Sequence, residues 1–206
     1  MDRPIVIWGA GGHARVVAEA LTGRDIAGHV SAHRSDPNPI IGPYLGSDQG
    51  LDALAADYDV VVGFAFVDAA GAAARRDAVR RADSWNLISV VHPQAEVSPT
   101  ALINAGAVVC TRAIVGTQAS IGRAAVINTG AIVDHDTTIG VNCHIGPGAV
   151  LSGGVTVGPN TLVGVGATVI QGVTIGANAV IGAGAVVVDD VADNETTVGA
   201  PARTIS

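Results

Sequence analysis

Residues 121–150 read IGRAAVINTGAIVDHDTTIGVNCHIGPGAV, and from Ile121 onward every sixth residue of this stretch is aliphatic. The spacing extends from Val91 to Val187 as seventeen consecutive hexads without an insertion. Neither the helical period of 3.6 nor the strand period of 2 fits this repeat. A period of six fits a coil with three short straight sides, in which the aliphatic side chains point inward. The repeat therefore predicts a parallel β-helix with between five and six triangular coils.

Two other positions of the hexad are also restricted. The fifth is Ala in most hexads and otherwise Thr, Cys or Val, while the second is often Gly, Asn or Asp. We interpret the small fifth residue as a fit to the tight corner of the coil. The second-position residues would tolerate the dihedral angles that a corner requires.

The composition agrees with such a stack and excludes several functions. Hydrophobic residues make up 49% of the 206 positions but aromatic residues only 3%, which favours a core of small and branched side chains and excludes disorder. The net charge of -7 argues against nucleic acid or an anionic membrane as the main partner. All 11 basic residues are Arg, so Schiff-base lysine chemistry and a Walker A phosphate loop are excluded.

The first 90 residues follow a different pattern, with strands that alternate with helices. We predict strands at Ile5–Trp8, Ile26–Val30 and 60–64, and a helix over 69–82 that exposes an arginine face. This order predicts a small parallel sheet. The sequence therefore divides into a small domain with a parallel sheet at 1–90, a β-helix at 91–192 and a closing segment at 193–206.

The loop between the first strand and the first helix reads GAGGHA from Gly9 to Ala14 and matches G-x-G-x-x-A. Such a loop lets a ligand approach the backbone, and the helix start attracts phosphate. A dinucleotide cofactor is disfavoured, because Ser31 rather than an acidic residue follows the second strand. Another phosphate-bearing ligand and a purely structural turn both stay open.

The histidines differ in what their surroundings indicate. His29 and His33 near the second strand are predicted to be solvated. His135 occupies the third position of its hexad, where a side chain should point outward, and Asp136 follows it. This pair is a candidate general base with an orienting carboxylate, or else an exposed loop histidine beside an ordinary Asp. His144 lies nine residues on, half a coil away, so the two imidazoles should lie on different faces.

The chain resembles the left-handed β-helix acyltransferases in its hexads and in its ending, VGAPAR at 198–203. With GAGGHARVVAEAL at 9–21, it is similar more narrowly to the sialic acid O-acetyltransferase and nucleotide-amino-sugar N-acetyltransferase family. That resemblance implies an acetyl-CoA-dependent N-acetyltransferase that acts on a nucleotide-linked amino sugar of surface-polysaccharide biosynthesis, without a metal. It also implies a homotrimer with active sites between neighbouring β-helices.

The resemblance assigns a role to several residues. His135 would be the general base, Asp136 would orient it, and the backbone N–H of Gly153 would hold the oxyanion. The acetyl-CoA site would be formed by the following residues: Asn128, His144, Gly153, Val165 and Ala183. The resemblance makes residues 1–90 a Rossmann-like nucleotide-sugar-binding domain, in which the nucleotide would lie at Gly11, Gly12, His13 and Arg15. The family often carries Asp after the second strand, and Ser31 in its place puts the nucleotide identity in doubt.

Three alternatives stay open at this stage. A sugar or sialic acid O-acetyltransferase would use the same His–Asp pair, and a non-enzymatic scaffold would use the β-helix only for assembly. A catalytic zinc with three ligands is poorly supported, because His92 is the only other histidine of the repeat region. The two cysteines form no CxxC, and neither a signal peptide nor a long apolar run is evident, so we expect a cytoplasmic protein.

Overall fold

The computed structural model describes residues 3–34, 36 and 38–205. Its N-terminal part is a four-stranded parallel sheet of order β3-β2-β1-β4, flanked by helices. The elements are β1 Ile5–Trp8, α1 Gly12–Ala20, β2 Ile26–Val30, β3 Tyr44–Gly46, α2 Leu51–Leu54, β4 Asp59–Val62 and α3 Ala69–Arg81. Short 3-10 turns lie at Asp48–Gly50 and Ala82–Ser84.

The sequence predicted β1 and β2 with the bounds observed, but two details of the sheet were wrong. β4 runs from Asp59 to Val62 rather than over 60–64, and Gly63 after it packs so closely on β1 and α1 that a Cβ there would lie 2.6 Å from the Ile7 side chain. The strand β3 was missed, since it has three residues and lies between Pro43 and Ser47. His29, predicted to be solvated, is fully buried in β2 between two neighbouring strands.

The repeat region contains seventeen two-residue strands, one for each hexad, and the second residue of every strand is the aliphatic residue of the repeat. These strands are β5 Val90–Val91, β6 Glu96–Val97, β7 Leu102–Ile103, β8 Val108–Val109, β9 Ile114–Val115, β10 Ser120–Ile121, β11 Val126–Ile127, β12 Ile132–Val133, β13 Thr138–Ile139, β14 His144–Ile145, β15 Val150–Leu151, β16 Thr156–Val157, β17 Leu162–Val163, β18 Thr168–Val169, β19 Thr174–Ile175, β20 Val180–Ile181 and β21 Val186–Val187. Strands three apart pair in parallel, as Ile127 does with Ile145. The predicted parallel β-helix is confirmed.

The strands form three flat faces that the chain visits in turn. The first face holds β5, β8, β11, β14, β17 and β20; the second holds β6, β9, β12, β15, β18 and β21; the third holds β7, β10, β13, β16 and β19. After the last coil, β22 at Thr196–Val198 extends the first face, and β23 at Arg203–Ile205 pairs with it antiparallel.

The interior is filled by the first and fifth residues of the hexads, which form one continuous apolar core. The corners, however, are built differently from our expectation. Left-handed backbone occurs at the fourth position, where Asp136 and Asn142 have φ of 58° and 56°. The second-position glycines serve close stacking instead. A Cβ on Gly122 would lie 2.6 Å from the backbone of Gly140 in the next coil.

The N-terminal sheet packs on the outside of the first face through α1, while α3 reaches the corner that precedes this face. The Arg123 guanidinium donates to the carbonyls of Val79 and Ala82 at 3.0 and 2.8 Å. Arg75, which we expected on an exposed arginine face, is only 1% exposed and donates to the Ala124 carbonyl at 2.7 Å. Its side chain therefore joins the two parts of the chain.

Candidate active site

The His135–Asp136 pair lies at the corner that follows β12, on the outside of the coil. Nδ1 of His135 lies 2.8 Å from Oδ2 of Asp136, and both side chains are more than half exposed. The hydrogen bond from Asp136 raises the pKa of His135, and the charge of Asp134 raises it further. When Nδ1 donates to Asp136, Nε2 is the basic nitrogen of this exposed ring. The geometry is that of an oriented general base.

Gly153 lies directly beside the His135 ring, one coil later. A Cβ on Gly153 would approach Nε2 of His135 to 2.5 Å, so only glycine leaves the imidazole in place. The N–H of Gly153 donates to no backbone carbonyl among the described residues. At the same corner of the coil before, the N–H of His135 is occupied by the Asp134 carboxylate at 2.7 Å. The Gly153 N–H is thus a hydrogen-bond donor next to the His135 imidazole.

A second feature is an apolar cavity of about 410 Å³ between the first face and the loop that follows β4. His144 and Asn128 supply polar groups to this cavity, and aliphatic side chains of later coils supply most of the rest. Its walls include Phe66, Val67, Asn128, His144, Leu162, Val165, Val180 and Ala183. The cavity is apolar and lined by few polar groups, as ligand pockets commonly are.

The polar groups of the apolar cavity are held in one arrangement. Nδ1 of His144 lies 2.6 Å from the Phe66 carbonyl and must donate to it, so Nε2 accepts from the Asn128 amide at 2.9 Å. The Thr129 N–H donates to Oδ1 of Asn128 at 2.7 Å and fixes the amide orientation. Burial lowers the pKa of His144 and outweighs the hydrogen bond to the Phe66 carbonyl, which raises it, while the charge of Arg75 lowers it further. His144 is therefore neutral, and its one ring proton is used.

The glycine loop joins β1 to α1. His13 is partly buried with its Nε2 enclosed, and burial together with the charge of Arg75 lowers its pKa to about 4. Gly11 and Gly12 are exposed at the start of α1, as is Arg15 one turn further on. Gly9 needs its φ of 130°, and a Cβ there would lie 2.9 Å from the Gly63 carbonyl oxygen.

Comparisons with known proteins were made once the fold and the site had been described. The bacterial transferase hexapeptide (six repeats) family matches residues 154–189. Perosamine N-acetyltransferase from Caulobacter crescentus, in complex with CoA and GDP-perosamine, is 38% identical over 98% of this chain and 97% of that chain, with a TM-score of 0.89. The acetyltransferase domain of PglB from Neisseria gonorrhoeae, in complex with acetyl coenzyme A, is 34% identical over 100% of both chains, with a TM-score of 0.90.

The chain belongs to the left-handed β-helix acyltransferases. WeeI from Acinetobacter baumannii, 22% identical with a TM-score of 0.83, shares the fold. No curated protein sequence matches the chain. Family membership makes the protein an enzyme, so the scaffold alternative was wrong. In the described part of the chain, no helix is long and apolar enough to cross a membrane, and no group of three His, Cys, Asp or Glu side chains could hold a metal ion.

The predicted site residues of this acyltransferase fall into three places. His135, Asp136 and Gly153 lie together at the corner between the second and third faces. Asn128, His144, Val165 and Ala183 line the apolar cavity at the first face. Gly11, Gly12 and Arg15 lie at the exposed start of α1, with His13 turned inward. The expectation that His135 and His144 lie on different faces is confirmed.

Sequence analysis missed Phe66 and Arg75, which orient and influence the site. The Phe66 carbonyl fixes the His144 tautomer, and its ring packs edge-on against that imidazole at 5.6 Å. Arg75 acts electrostatically on both His13 and His144. Phe66 follows a buried strand of a parallel sheet, and ligands bind at the carboxyl ends of such strands. That position could have marked Phe66 as a candidate site residue. Nothing in the sequence distinguished Arg75 from the other three arginines of α3.

Proposed function

We propose that this enzyme transfers the acetyl group of acetyl-CoA to the amino group of a nucleotide-linked amino sugar. The observation that carries the proposal is the exposed His135 imidazole, whose Nδ1 is bound to Asp136 and whose Nε2 lies beside the Gly153 backbone. The relatives named above, described with CoA and GDP-perosamine or with acetyl coenzyme A, support the donor and the class of acceptor.

The reaction needs a base and an oxyanion donor but no covalent enzyme intermediate, since the thioester is already activated. The amine nitrogen attacks the thioester carbonyl carbon while Nε2 of His135 removes the proton that the nitrogen loses. The Gly153 N–H stabilises the oxyanion that develops. The C–S bond then breaks, and the imidazolium returns its proton to the departing thiolate. Asp136 keeps the ring oriented throughout and stabilises its protonated form.

The proposed site requires a second copy of the chain. His135 and Gly153 lie at the corner after the second face, whereas the apolar cavity with Val165 and Ala183 lies at the first face. This corner and the first face lie on opposite sides of the triangular coil, so one protomer cannot present both to the same ligand. A groove between two protomers can do so, because one protomer supplies the corner with the base and its neighbour supplies the cavity. Three protomers around an axis give three equal grooves.

The outward side chains of the three faces support this arrangement. On the first face those of the early coils, Val90 and Val108, pack against the N-terminal sheet, and those of later coils, such as Leu162 and Val180, line the apolar cavity. On the third face most are Ser or Thr, as at Ser120 and Thr138. The second face begins with Glu96 and continues as a mostly aliphatic row of exposed or partly exposed side chains: Ile114, Ile132, Val150, Thr168 and Val186. We assign this row to the contact between protomers, because exposed apolar rows mark interfaces.

The acceptor would enter from the sheet side of the apolar cavity. The segment from Phe64 to Phe66 separates that cavity from a second one at the carboxyl edge of the sheet, where parallel sheets bind nucleotides. We place the nucleotide there, with Gly11, Gly12, His13 and Arg15 at its margin. The compartment we propose is the cytoplasm, which suits the two unpaired buried thiols of Cys110 and Cys143.

The proposal is tested by following thiol release from acetyl-CoA with UDP-, GDP- and dTDP-linked 4-amino sugars offered in turn. A reaction without acceptor is the control for direct reaction of the protein thiols with the reagent. We expect release with one class of amino sugar, and a loss of about 10²–10⁴-fold in turnover for His135→Asn. Release only with a sugar that has a hydroxyl in place of the amine would overturn the N-acetyltransferase assignment.

A further inference from the structure

The cavity at the carboxyl edge of the sheet, here called the sheet-edge cavity, has a volume of about 440 Å³. Residues that follow β1, β2, β3 and β4 line one side, among them Gly9, Ser31, Asp48 and Phe64. Arg75 and small residues of α3 line the other side. The cavity thus spans the full width of the sheet, from the β4 side to the β3 side.

A buried cation lies at the β4 end of the sheet-edge cavity. Nε of Arg75 donates to the Phe64 carbonyl at 2.7 Å, and Nη1 donates to the Ala124 carbonyl and to Oδ1 of Asn142. All three acceptors are neutral, and Nη2 is buried without a partner. Among the described residues, no carboxylate forms an ion pair with Arg75. A buried charge in this state is stabilised by an anion.

A carboxylate lies at the opposite end. Asp48 follows β3, the edge strand farthest from β4, and its Oδ1 is buried without a hydrogen-bond partner. Burying an unsatisfied carboxylate oxygen is costly, and a ligand that donates hydrogen bonds would remove the cost. Ser31, the neighbour in this wall of the cavity, is already engaged, since its hydroxyl donates to the His33 carbonyl at 2.7 Å.

These two charges set the direction in which a nucleotide sugar lies. The acetyl-transfer site adjoins the β4 end, because Phe66 lines the apolar cavity two residues after Phe64 lines the sheet-edge cavity. The amino sugar and the diphosphate therefore lie toward Arg75, where the anion meets the buried cation. The base then lies at the far end, against Asp48.

We propose that Asp48 selects guanine as the base of the nucleotide, an inference that rests on the proposed function. A carboxylate only accepts hydrogen bonds and offers two adjacent oxygens. Guanine presents two adjacent donors, N1–H and the 2-amino group, and matches it. Uracil and thymine present one N–H between two carbonyl oxygens, which the carboxylate repels. Adenine places an acceptor next to its amino group.

The test is calorimetric titration of the intact protein with GDP, IDP and UDP, which differ at the base alone. Inosine lacks the 2-amino group of guanine and so loses one of the two bonds. We expect GDP to bind about 10–100-fold tighter than IDP, and UDP to bind more weakly still. In Asp48→Asn the preference for GDP over IDP should collapse, while UDP affinity stays within about twofold. Asp57→Asn, at an exposed Asp of the same segment, is the matched control.

Each other outcome has a defined meaning. Equal weakening of all three nucleotides in Asp48→Asn, at an unchanged melting temperature, would mean that Asp48 contacts the ribose, and the proposal would fall. Tighter binding of UDP than of GDP by the native protein would also overturn it and leave the acetyltransferase assignment standing. Binding of none of the three would contradict the placement of a nucleotide and hence the proposed function itself.

Discussion

At the scale of single residues, the Asp136 side chain can be altered without disturbing the coil. Its φ of 58° is shared by Asn142 and Asn160 at the same corner position of other hexads, so Asp136→Asn should leave the melting temperature within about 1 °C. The carboxylate raises the pKa of His135, so its loss lowers that pKa. Because transfer requires the neutral imidazole, the acid limb of kcat/KM should move to lower pH, and kcat should fall at least tenfold.

The pH profile of kcat/KM for the native enzyme and for Asp136→Asn measures this effect. His135→Asn serves as the reference for complete loss of the base, and Asp77→Asn, an exposed carboxylate on α3, serves as the control. An acid limb that stays in place in Asp136→Asn would show that another group sets the protonation state. The position of the limb, rather than the size of the rate loss, separates orientation from general disruption.

Gly153 gives a second prediction, because its neighbour is a mobile side chain rather than backbone. In Gly153→Ala the new methyl group meets the imidazole of His135, which is exposed and can turn away. The fold should therefore survive with little change in melting temperature, while kcat falls by about 10²-fold, the usual cost of a misplaced catalytic group. Ser152→Ala at the adjacent position is the control. Full activity in Gly153→Ala would remove the glycine from the site.

At the scale of elements, successive hexads belong to the first, second and third face in turn, so residues of one face are never consecutive in the sequence. The sixth residue of every third hexad belongs to one face, so Ile114, Ile132 and Val150 form a row although they are 18 residues apart. Sequence analysis read the inward positions correctly and did not sort the outward ones by face. Grouping the sixth-position residues at intervals of 18 would have found the aliphatic row.

The same sorting supplies a matched pair of variants. Ile132→Glu places a charge in the middle of the aliphatic second face, and Thr138→Glu places the same charge at the equivalent position of the third face. We expect Ile132→Glu to sediment as a monomer and to lose transferase activity, because each groove needs two protomers. Thr138→Glu should keep both. Sedimentation velocity measures the masses, and a trimeric, active Ile132→Glu would contradict the assigned interface.

The corners show why a pattern of residue types does not by itself reveal its physical cause. Glycine recurs at the second position and again at the fourth, and the sequence does not tell these two uses apart. The second-position glycines, such as Gly122, leave room for the next coil, while Gly130 and Gly148 at the fourth position supply a positive φ. Asn and Asp replace glycine at the fourth position for the dihedral reason alone.

At the scale of the whole molecule, what could be predicted of the site depended on distance along the chain. His135 and Asp136 are adjacent in sequence, and their role was visible at once. Arg75 donates a hydrogen bond to Asn142, which is 67 residues away in the sequence. Asp48 lines the sheet-edge cavity together with Arg75 but comes from a different element. Neither residue could therefore be found from spacing. The period of six predicted the coils of the β-helix and their inward residues, whereas the contact between its first face and the sheet depends on side chains that no local pattern links.

That contact should make the protein sensitive to mild acid. His13 and His144 lie near Arg75 at the junction, and burial lowers both pKa values, that of His13 from 6.5 to about 4. Below pH 6.5 the unfolded chain binds protons that the folded chain refuses, so the stability present above that pH is lost as pH falls toward 4. His135, whose pKa is raised, acts in the opposite sense, and substitution of His13 leaves its contribution unchanged.

The melting temperature should therefore drop between pH 7 and 4.5. The slope of this drop should be clearly shallower in His13→Asn and unchanged in His33→Asn, the control at an exposed histidine. Scanning calorimetry across this range decides it: parallel curves for His13→Asn and the native protein would mean that protonation of His13 does not oppose folding at the junction.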